Sequence, residues 1–151
     1  MRQDRTRMGF TLIEIMAVVV IIGLLTGIVG TAIIGQLDKA NTEAARMQIK
    51  NLEAALDFYR MDNGRYPSTE QGLDALVNPS AVDPVPRNFR PEGYLQGGKV
   101  PPDPWGLPYE YEAPGTHNPY GVDIWSFGGD GQPGGTGTDT DVGNWTEDTA
   151  G

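Results

Sequence analysis

The sequence predicts an α+β fold, in which one long N-terminal helix packs against a small antiparallel sheet. An uncharged run from Ile15 to Leu37 is followed by a segment with apolar residues at helical spacing. Short alternating segments between residues 105 and 127 predict the sheet. Glycine and proline are concentrated after residue 62, so we expect the C-terminal region to be rich in loops.

Composition limits the classes of function. The chain has 151 residues, enough for one modest domain and an anchor, and its net charge is −9. Because phosphate binding needs a clustered basic surface, this charge argues against a nucleic-acid partner. The first nine residues carry +2, which leaves −11 for the remainder. The chain has no cysteine, so no disulfide can hold its loops.

Residues 1–9 form a short basic leader, and residues 10–37 are predicted to be the membrane-spanning half of the helix. The run from Ile15 to Leu37 contains 23 uncharged residues, and a helix needs roughly 20 apolar residues to cross the hydrocarbon core. Basic residues favour the cytoplasmic side, so we expect a single-pass membrane protein with its C-terminal region outside the cytoplasm, in the periplasm if the cell is Gram-negative. A secretory signal peptide fits less well, because the run is long and no clear cleavage site follows it. A plain signal anchor stays open.

Residues 38–62 are predicted to be an amphipathic half of the same helix. Apolar residues recur there at steps of four and three, which is a helical stripe. The stripe consists of Ala45, Ile49, Leu52, Leu56 and Tyr59. Asn63 and Gly64, with Pro67 beyond them, predict the end of the helix. We expect this half to bury its stripe against the domain that follows.

Residues 63–151 are predicted to be a periplasmic globular region. Ser68 and Gln71 have the spacing of a capping box, which predicts a short helix after them. Tyr109–Glu112 and Val122–Phe127 alternate in polarity and predict an antiparallel pair of strands. The apolar face of this pair is expected to cover the helix stripe.

One carboxylate, Glu14, stands at the start of the apolar run. A carboxylate beside an apolar span costs several kcal/mol unless it is paired, and no basic side chain lies between Gly9 and Gln36. If the chain is cut after Gly9, the new α-amine of Phe10 on one filament subunit can pair with Glu14 of the next. Alternatively, Glu14 lies at the membrane interface and reaches water. The residues alone leave both interpretations open.

The segment from Gly9 to Glu14, followed by an apolar helix, resembles the class III signal of type IV pilins and pseudopilins. The resemblance implies that a membrane-embedded aspartyl prepilin peptidase cuts between Gly9 and Phe10 and then N-methylates Phe10. It also implies that Glu14 is the assembly carboxylate. All matched positions of the signal are intact in this chain.

Four further motifs are similar to those of the major pseudopilins of type II secretion systems, within the type IV pilin-like superfamily. They are Tyr66–Leu73, Asp103–Gly106 with Tyr109, Ser126–Gly135, and Asn144–Trp145. The resemblance implies a pilin-like fold and a structural subunit that assembles from the inner membrane into a periplasmic filament. Growth of this helical homopolymer would drive folded proteins across the outer membrane. The implied partners are minor pseudopilins, the prepilin peptidase, membrane lipid and an inner-membrane assembly platform with its cytoplasmic ATPase.

Residues 127–145 form an acidic, glycine-rich loop. Asp130, Asp139 and Asp141 repel one another unless a cation joins them, and Ca²⁺ takes about 6–8 hard oxygen ligands. Composition alone favours a solvated, flexible tail. The resemblance instead implies a structural Ca²⁺ held by these carboxylates and by the backbone of Phe127. Either Asp139 or Asp141 can be the direct ligand, because the acidic spacing varies within the family.

Two rival functions stay open on the sequence. A type IV pilin of a surface fibre is opposed by the Asp103–Gly106 motif and by the acidic loop. A membrane-anchored periplasmic calcium-binding module is compatible with the physical pattern alone. The sequence pairs no nucleophile with a base, and His117 stands alone in a predicted turn, where we expect it at the surface. The sequence therefore predicts no enzyme.

Overall fold

The computed structural model describes residues 9–145, with the backbone alone described over residues 28–34. The elements in chain order are helix α1 (Leu12–Asn63), a 3-10 helix (Leu73–Leu76), strand β1 (Glu110–Glu112), strand β2 (Asp123–Ser126), a second 3-10 helix (Gly137–Asp139) and strand β3 (Val142–Gly143). The chain divides into two compact units, residues 1–37 and residues 38–151. Most of the predicted leader, residues 1–8, lies outside the described residues.

In the unit formed by residues 1–37, the first part of α1 is the described element. It begins at Leu12, close to the predicted start. Its apolar side chains are exposed within the single chain, with Leu24 exposed by 65%. Among the side chains that are described, no helix is long and apolar enough to cross a membrane. The side chains of residues 28–34, which belong to the predicted span, lie outside the described part.

In the unit formed by residues 38–151, the second part of α1 supplies much of the core. The predicted stripe is confirmed, because each of its five residues is no more than 2% exposed. Arg46 and Glu43, one turn apart on the outside, form an ion pair at 3.2 Å. The helix ends at Asn63, and Gly64 follows with φ of 76°, a left-handed conformation that glycine adopts without steric cost.

The sheet has three strands in the order β1-β2-β3, and both pairings are antiparallel. The predicted pair of strands is confirmed, with Tyr111 opposite Ile124. β3 is absent from the sequence prediction because two residues, one of them glycine, carry no alternation. Tyr109, Tyr111 and Ile124 share one core with the helix stripe, and the Tyr109 hydroxyl donates to Oε1 of Gln48 at 2.6 Å. The strand pair therefore covers the helix as predicted.

The predicted capping box forms, but the helix after it is shorter and tighter than expected. The N–H of Ser68 donates to Oε1 of Gln71 at 2.9 Å, and the N–H of Gln71 donates to the Ser68 hydroxyl at 3.2 Å. Gly72 then adopts a positive φ of 62°, which breaks the helical path. The following helix is a single 3-10 turn, Leu73–Leu76. The hydrogen bonds of the box therefore close the turn that precedes the 3-10 helix, and they do not cap that helix.

Candidate functional site

The first part of the candidate site is the N-terminus of α1, where Thr11 and Glu14 form a capping box. The N–H and the hydroxyl of Thr11 donate to Oε2 of Glu14 at 2.8 and 2.9 Å. In return, the N–H of Glu14 donates to the Thr11 hydroxyl at 3.4 Å. Backbone donors that would otherwise be unpaired at the helix end are satisfied in this way. The sequence analysis missed this role of Glu14, although Thr-x-x-Glu before an apolar run is its signal.

The predicted cleavage and methylation residues lie directly before this box. Gly9 and Phe10 belong to no helix or strand, and Phe10 is 84% exposed. The Gly9–Phe10 peptide bond is therefore accessible on the N-terminal side of the helix. Because Thr11 follows Phe10 directly and already binds Glu14, an α-amine created at Phe10 would stand next to a carboxylate held by hydrogen bonds.

The second part of the candidate site is the acidic loop after β2. Oδ1 of Asp130 accepts a hydrogen bond from the N–H of Gln132 at 3.0 Å. Oδ2 of Asp141 accepts from the N–H of Gly134 at 2.9 Å. Asp139 is the last residue of the 3-10 helix within the loop. The residues described include no group of three His, Cys, Asp or Glu side chains placed to hold a metal ion, so the three predicted carboxylates are not gathered around one point.

The loop nevertheless contains oxygen atoms of the kind that calcium binds. Oδ1 of Asp141 is buried and has no hydrogen-bond partner. A Cβ on Gly128 would lie 2.9 Å from the carbonyl oxygens of Thr138 and Thr140, so a glycine is needed where these carbonyls approach the backbone. Carboxylate and carbonyl oxygens are the hard ligands that suit Ca²⁺. The unpartnered oxygen of Asp141 fits the ion, whereas Asp130 and Asp139 would have to approach Asp141 to join it. The carbonyl of Thr138 already accepts from the N–H of Gly129 at 2.9 Å.

A buried carboxylate, Asp103, holds the beginning of this loop. Its Oδ1 accepts from the N–H groups of Trp105 at 3.1 Å and Leu107 at 2.7 Å. Its Oδ2 accepts from the hydroxyl of Ser126, the last residue of β2. The same hydroxyl accepts from the N–H of Gly128 at 3.1 Å. The Asp103–Gly106 motif is therefore a structural support whose hydrogen bonds extend to the first residues of the acidic loop.

Two aromatic side chains fix the loop from outside. The indole N–H of Trp105 donates to the hydroxyl of Thr138 at 3.1 Å. Phe127, the predicted backbone ligand, leads from β2 into the loop, and its ring meets that of Trp125 edge-on at 6.0 Å between centroids. Trp105, Tyr109 and Trp125 thus make packing contacts, and Trp105 also anchors the loop.

A second buried carboxylate, Asp123, organises the turn that contains His117. It accepts from the backbone N–H groups of His117 at 2.7 Å and Asn118 at 3.0 Å, and from the Asn118 side chain at 2.8 Å. Burial raises the pKa of Asp123, but these hydrogen bonds outweigh burial and hold that pKa below its usual value. Nδ1 of His117 lies 3.1 Å from Oδ2 of Asp123, and its ring stacks on Trp145 with centroids 3.9 Å apart. His117 is half-exposed, as predicted, but it has two definite structural contacts.

Asn144 ties the end of the loop to the helix. Its amide N–H groups donate to Oε1 of Glu53 on α1 at 2.8 Å and to the carbonyl of Val122 at 2.9 Å. Its side-chain oxygen accepts from the N–H of Ile124 at 3.2 Å. No local sequence pattern identifies this role, because the partners are distant along the chain. Asp103, Asp123 and Asn144 therefore hold loops in place, which is a structural task.

Comparisons with known proteins agree on one family. The family profile described as "Type II secretion system (T2SS), protein G" matches residues 32–145. A relative from Pseudomonas aeruginosa, named type II secretion system core protein G, is 50% identical over 143 residues, which are 95% of this chain and 98% of that protein. A relative of the same name from Aeromonas hydrophila is 48% identical over 143 residues, which are 95% of this chain and 95% of that protein.

A solved structure is also similar to this chain. It is described as the crystal structure of the major pseudopilin from the type 2 secretion system of enterohaemorrhagic Escherichia coli. The TM-score is 0.65 and the sequence identity is 45%, over 76% of this chain and 94% of that one. Sequence and structure comparisons therefore point to the same class of protein.

Proposed function

The chain belongs to the type II secretion system protein G family, and from this premise we propose how its parts serve a filament. It is a major pseudopilin, a structural subunit of type II secretion and not an enzyme. Its assembly into a pseudopilus with other secretion components follows from that membership. The steps of processing, membrane insertion and metal binding are the proposal.

Processing comes first. The prepilin peptidase removes residues 1–9 and methylates the new N-terminal residue, Phe10. The accessible position of Gly9 and Phe10 before the helix supports this step. Residues 10–37 hold the subunit in the inner membrane by their apolar side chains until it enters the filament. Residues 38–151 then lie on the periplasmic side.

Assembly uses Glu14. The Thr11–Glu14 capping box is the observation that carries this role, because it fixes the carboxylate one turn from the new amine. The cap satisfies Glu14 while the subunit is alone in the membrane, which lowers the cost of a carboxylate beside apolar lipid. The α-amine of Phe10 on a neighbouring subunit then adds an opposite charge in a low-dielectric surrounding, which favours ordered addition.

Calcium completes the C-terminal loop. We assign the ligands to the side chain of Asp141, to the side chains of Asp130 and Asp139 after they approach it, and to the backbone of Phe127. The buried, unpartnered oxygen of Asp141 supports the assignment. Bound Ca²⁺ supplies positive charge that offsets the repulsion of the carboxylates and links the loop to the sheet. The chain's lack of cysteine leaves this task to the metal and to the Asp103 and Asp123 hydrogen bonds.

The filament acts mechanically. Subunits are added at an inner-membrane platform driven by a cytoplasmic ATPase, together with minor pseudopilins, and the periplasmic filament pushes folded proteins across the outer membrane. The test is replacement of Glu14 by Gln in a strain that lacks the native copy, with Glu43→Gln as the control. Glu14→Gln is expected to abolish both secretion and filament formation, with Glu43→Gln at the wild-type level. Normal filaments from the Glu14→Gln chain would contradict the role of Glu14.

A further inference from the structure

The end of α1 places an asparagine directly before a glycine. The chain contains seven asparagines, and Asn63, followed by Gly64, is the one in this position. Asparagine before glycine is the pair most prone to spontaneous loss of the side-chain amide, because glycine carries no side chain to shield its backbone nitrogen. A reactive pair therefore lies at the junction between the helix and the loop that follows it.

The fold requires each member of this pair. Gly64 has φ of 76°, a left-handed conformation that other residues rarely adopt. The asparagine side chain can both donate and accept hydrogen bonds, and Asn63 uses both capacities. Its Nδ2 donates to the carbonyl of Tyr59 at 3.1 Å and to the hydroxyl of Tyr94 at 3.2 Å. Its Oδ1 accepts from the N–H of Asn88 at 3.0 Å. Exchange of either residue would therefore cost strain or hydrogen bonds.

Further contacts fasten the following loop to the same helix end. The side chain of Asn88 donates to the carbonyl of Asp62 at 3.1 Å, and Nε of Arg90 lies 2.6 Å from Oδ2 of Asp62. The hydroxyl of Tyr94 donates to the carbonyl of Asn88 at 3.1 Å. We call this network the helix-end joint, and it consists of Asp62, Asn63, Asn88, Arg90 and Tyr94.

Loss of the amide would proceed by attack of the backbone on the side chain. The nitrogen of Gly64 forms a bond to Cγ of Asn63, the bond between Cγ and Nδ2 breaks, and the proton of the Gly64 N–H leaves with Nδ2 as ammonia. A cyclic imide remains. Water then opens the ring at either carbonyl carbon and gives aspartate or isoaspartate. The reaction therefore needs no reactant other than water.

The native structure holds each group that this reaction must move. The N–H of Gly64 donates to the carbonyl of Arg60 at 2.7 Å, which keeps the attacking nitrogen in the last turn of α1. The leaving nitrogen, Nδ2, is bound by two acceptors, and the side-chain oxygen is bound by one donor. Asn63 is only 8% exposed, so water has little access to its Cγ. The helix-end joint must therefore open before the amide can be lost.

We propose that Asn63 is a site of self-modification that the native fold keeps unreacted. A chain whose helix-end joint has opened converts Asn63 to aspartate or isoaspartate, with water as the co-reactant. The change then prevents the joint from closing again. The site thus marks subunits that have lost their fold, whereas folded subunits keep the amide.

The product cannot take the place of the asparagine. A carboxylate has no N–H, so the carbonyl of Tyr59 loses its donor and faces an oxygen that carries negative charge. The carbonyl end of a helix is already electronegative, which disfavours an added anion there. Burial of a charged group also costs far more than burial of a neutral amide. In isoaspartate the backbone is longer by a carbon atom, which displaces Gly64 from the geometry that ends the helix.

The rates of amide loss in the folded and the unfolded full chain test this site. The chain is kept in detergent at one pH and temperature, with and without guanidinium chloride. Intact mass follows the exchange of an amide for a carboxyl group, and peptide mapping assigns the exchange to a residue. Amide loss at Asn63 should be at least about tenfold faster in the unfolded chain. Equal rates, or product at other asparagines but not at Asn63, would overturn the proposal.

Loosening of the joint should accelerate the reaction in the folded chain. Tyr94→Phe removes the hydroxyl that binds Nδ2 of Asn63 and should raise the rate roughly two- to tenfold, because the net strength of a hydrogen bond corresponds to such a factor. Tyr120→Phe removes a hydroxyl from a side chain that is 99% exposed and should leave the rate unchanged. Equal rates in the two variants would mean that the joint gives no protection, contrary to the proposal.

A direct replacement tests the consequence of the modification. Asn63→Asp reproduces one of the products and should unfold at a lower denaturant concentration than the unsubstituted chain, or fail to fold. Asn51→Asp makes the same chemical change at an exposed position of the same helix and should keep the original midpoint. An unchanged midpoint for Asn63→Asp would overturn the claim that the product prevents the joint from closing.

Discussion

The hydroxyl of Ser126 donates a hydrogen bond to the carboxylate of Asp103, although the two residues are 23 positions apart. Both side chains are buried, and the same hydroxyl accepts from the N–H of Gly128 at the start of the acidic loop. A turn before β1 is therefore linked directly to the loop after β2.

Loss of this link should destabilise the unit formed by residues 38–151. Ser126→Ala leaves an oxygen of Asp103 and the N–H of Gly128 without their partner, and we expect a loss of about 1–3 kcal/mol in the free energy of unfolding. Chemical unfolding of the full chain in detergent, followed by tryptophan fluorescence, measures it. Ser80→Ala, in an outer loop, should change the free energy by less than about 0.5 kcal/mol. Equal effects of the two substitutions would show that the link is unimportant.

The cap on Glu14 predicts a role for Thr11 in assembly. Thr11→Val keeps the shape but removes the hydroxyl that binds Glu14, and loss of a cap typically costs about 1 kcal/mol. We expect fewer subunits to enter filaments, measured as the sheared or cross-linked fraction. Thr11→Ser restores the hydroxyl and should restore assembly. If Val and Ser variants assemble equally well, the cap has no part in the process.

The depressed pKa of Asp123 predicts a loss of stability in acid. The ionised form accepts the hydrogen bonds from His117 and Asn118, so its contribution is present above the ordinary aspartate pKa. That contribution is lost as the pH falls through the lower pKa of the folded state. The melting temperature should therefore drop steeply below about pH 4. Asp123→Asn should be less stable at pH 7 and should show a shallower acid transition; an acid transition as steep as in the wild type would contradict this explanation.

Calcium should stabilise the acidic loop. Chelation is expected to lower the melting temperature of the full chain, because an ion that binds only the folded state adds to its stability. Asp141→Asn removes the charge of the carboxylate whose Oδ1 is unpartnered and should reduce the calcium-dependent shift. Asp74→Asn, at an exposed position, should keep the full shift. If chelation changes nothing in the unsubstituted chain, the metal assignment is wrong.

Periodic features of this fold were predictable from the sequence. The buried stripe from Ala45 to Tyr59 and the pairing of β1 with β2 follow from steps of four and three and from alternation, and both are confirmed. Periodicity is informative there because the polarity of each residue indicates whether its own side chain is buried.

The polar supports were not predictable in the same way. Asp103 and Asn144 lie in motifs that the family resemblance singled out, but their roles depend on Ser126 and Glu53, which only the folded chain brings near them. Asp123 lies in no such motif. β3 depends on its pairing with β2 and has no pattern of its own. The capping box at Thr11 is different, since the pattern Thr-x-x-Glu is its local signal. The sequence interpretation considered Glu14 only as a carboxylate at the membrane or in assembly, and not as part of a cap.

The intact mass of the chain isolated from membranes tests the central claim most directly, because cleavage must precede assembly. The proposed function predicts a mass that lacks residues 1–9 and carries one additional methyl group on Phe10. The mass of the uncut chain, beginning at Met1 and without a methyl group, would contradict processing as a pseudopilin and would support the plain membrane anchor.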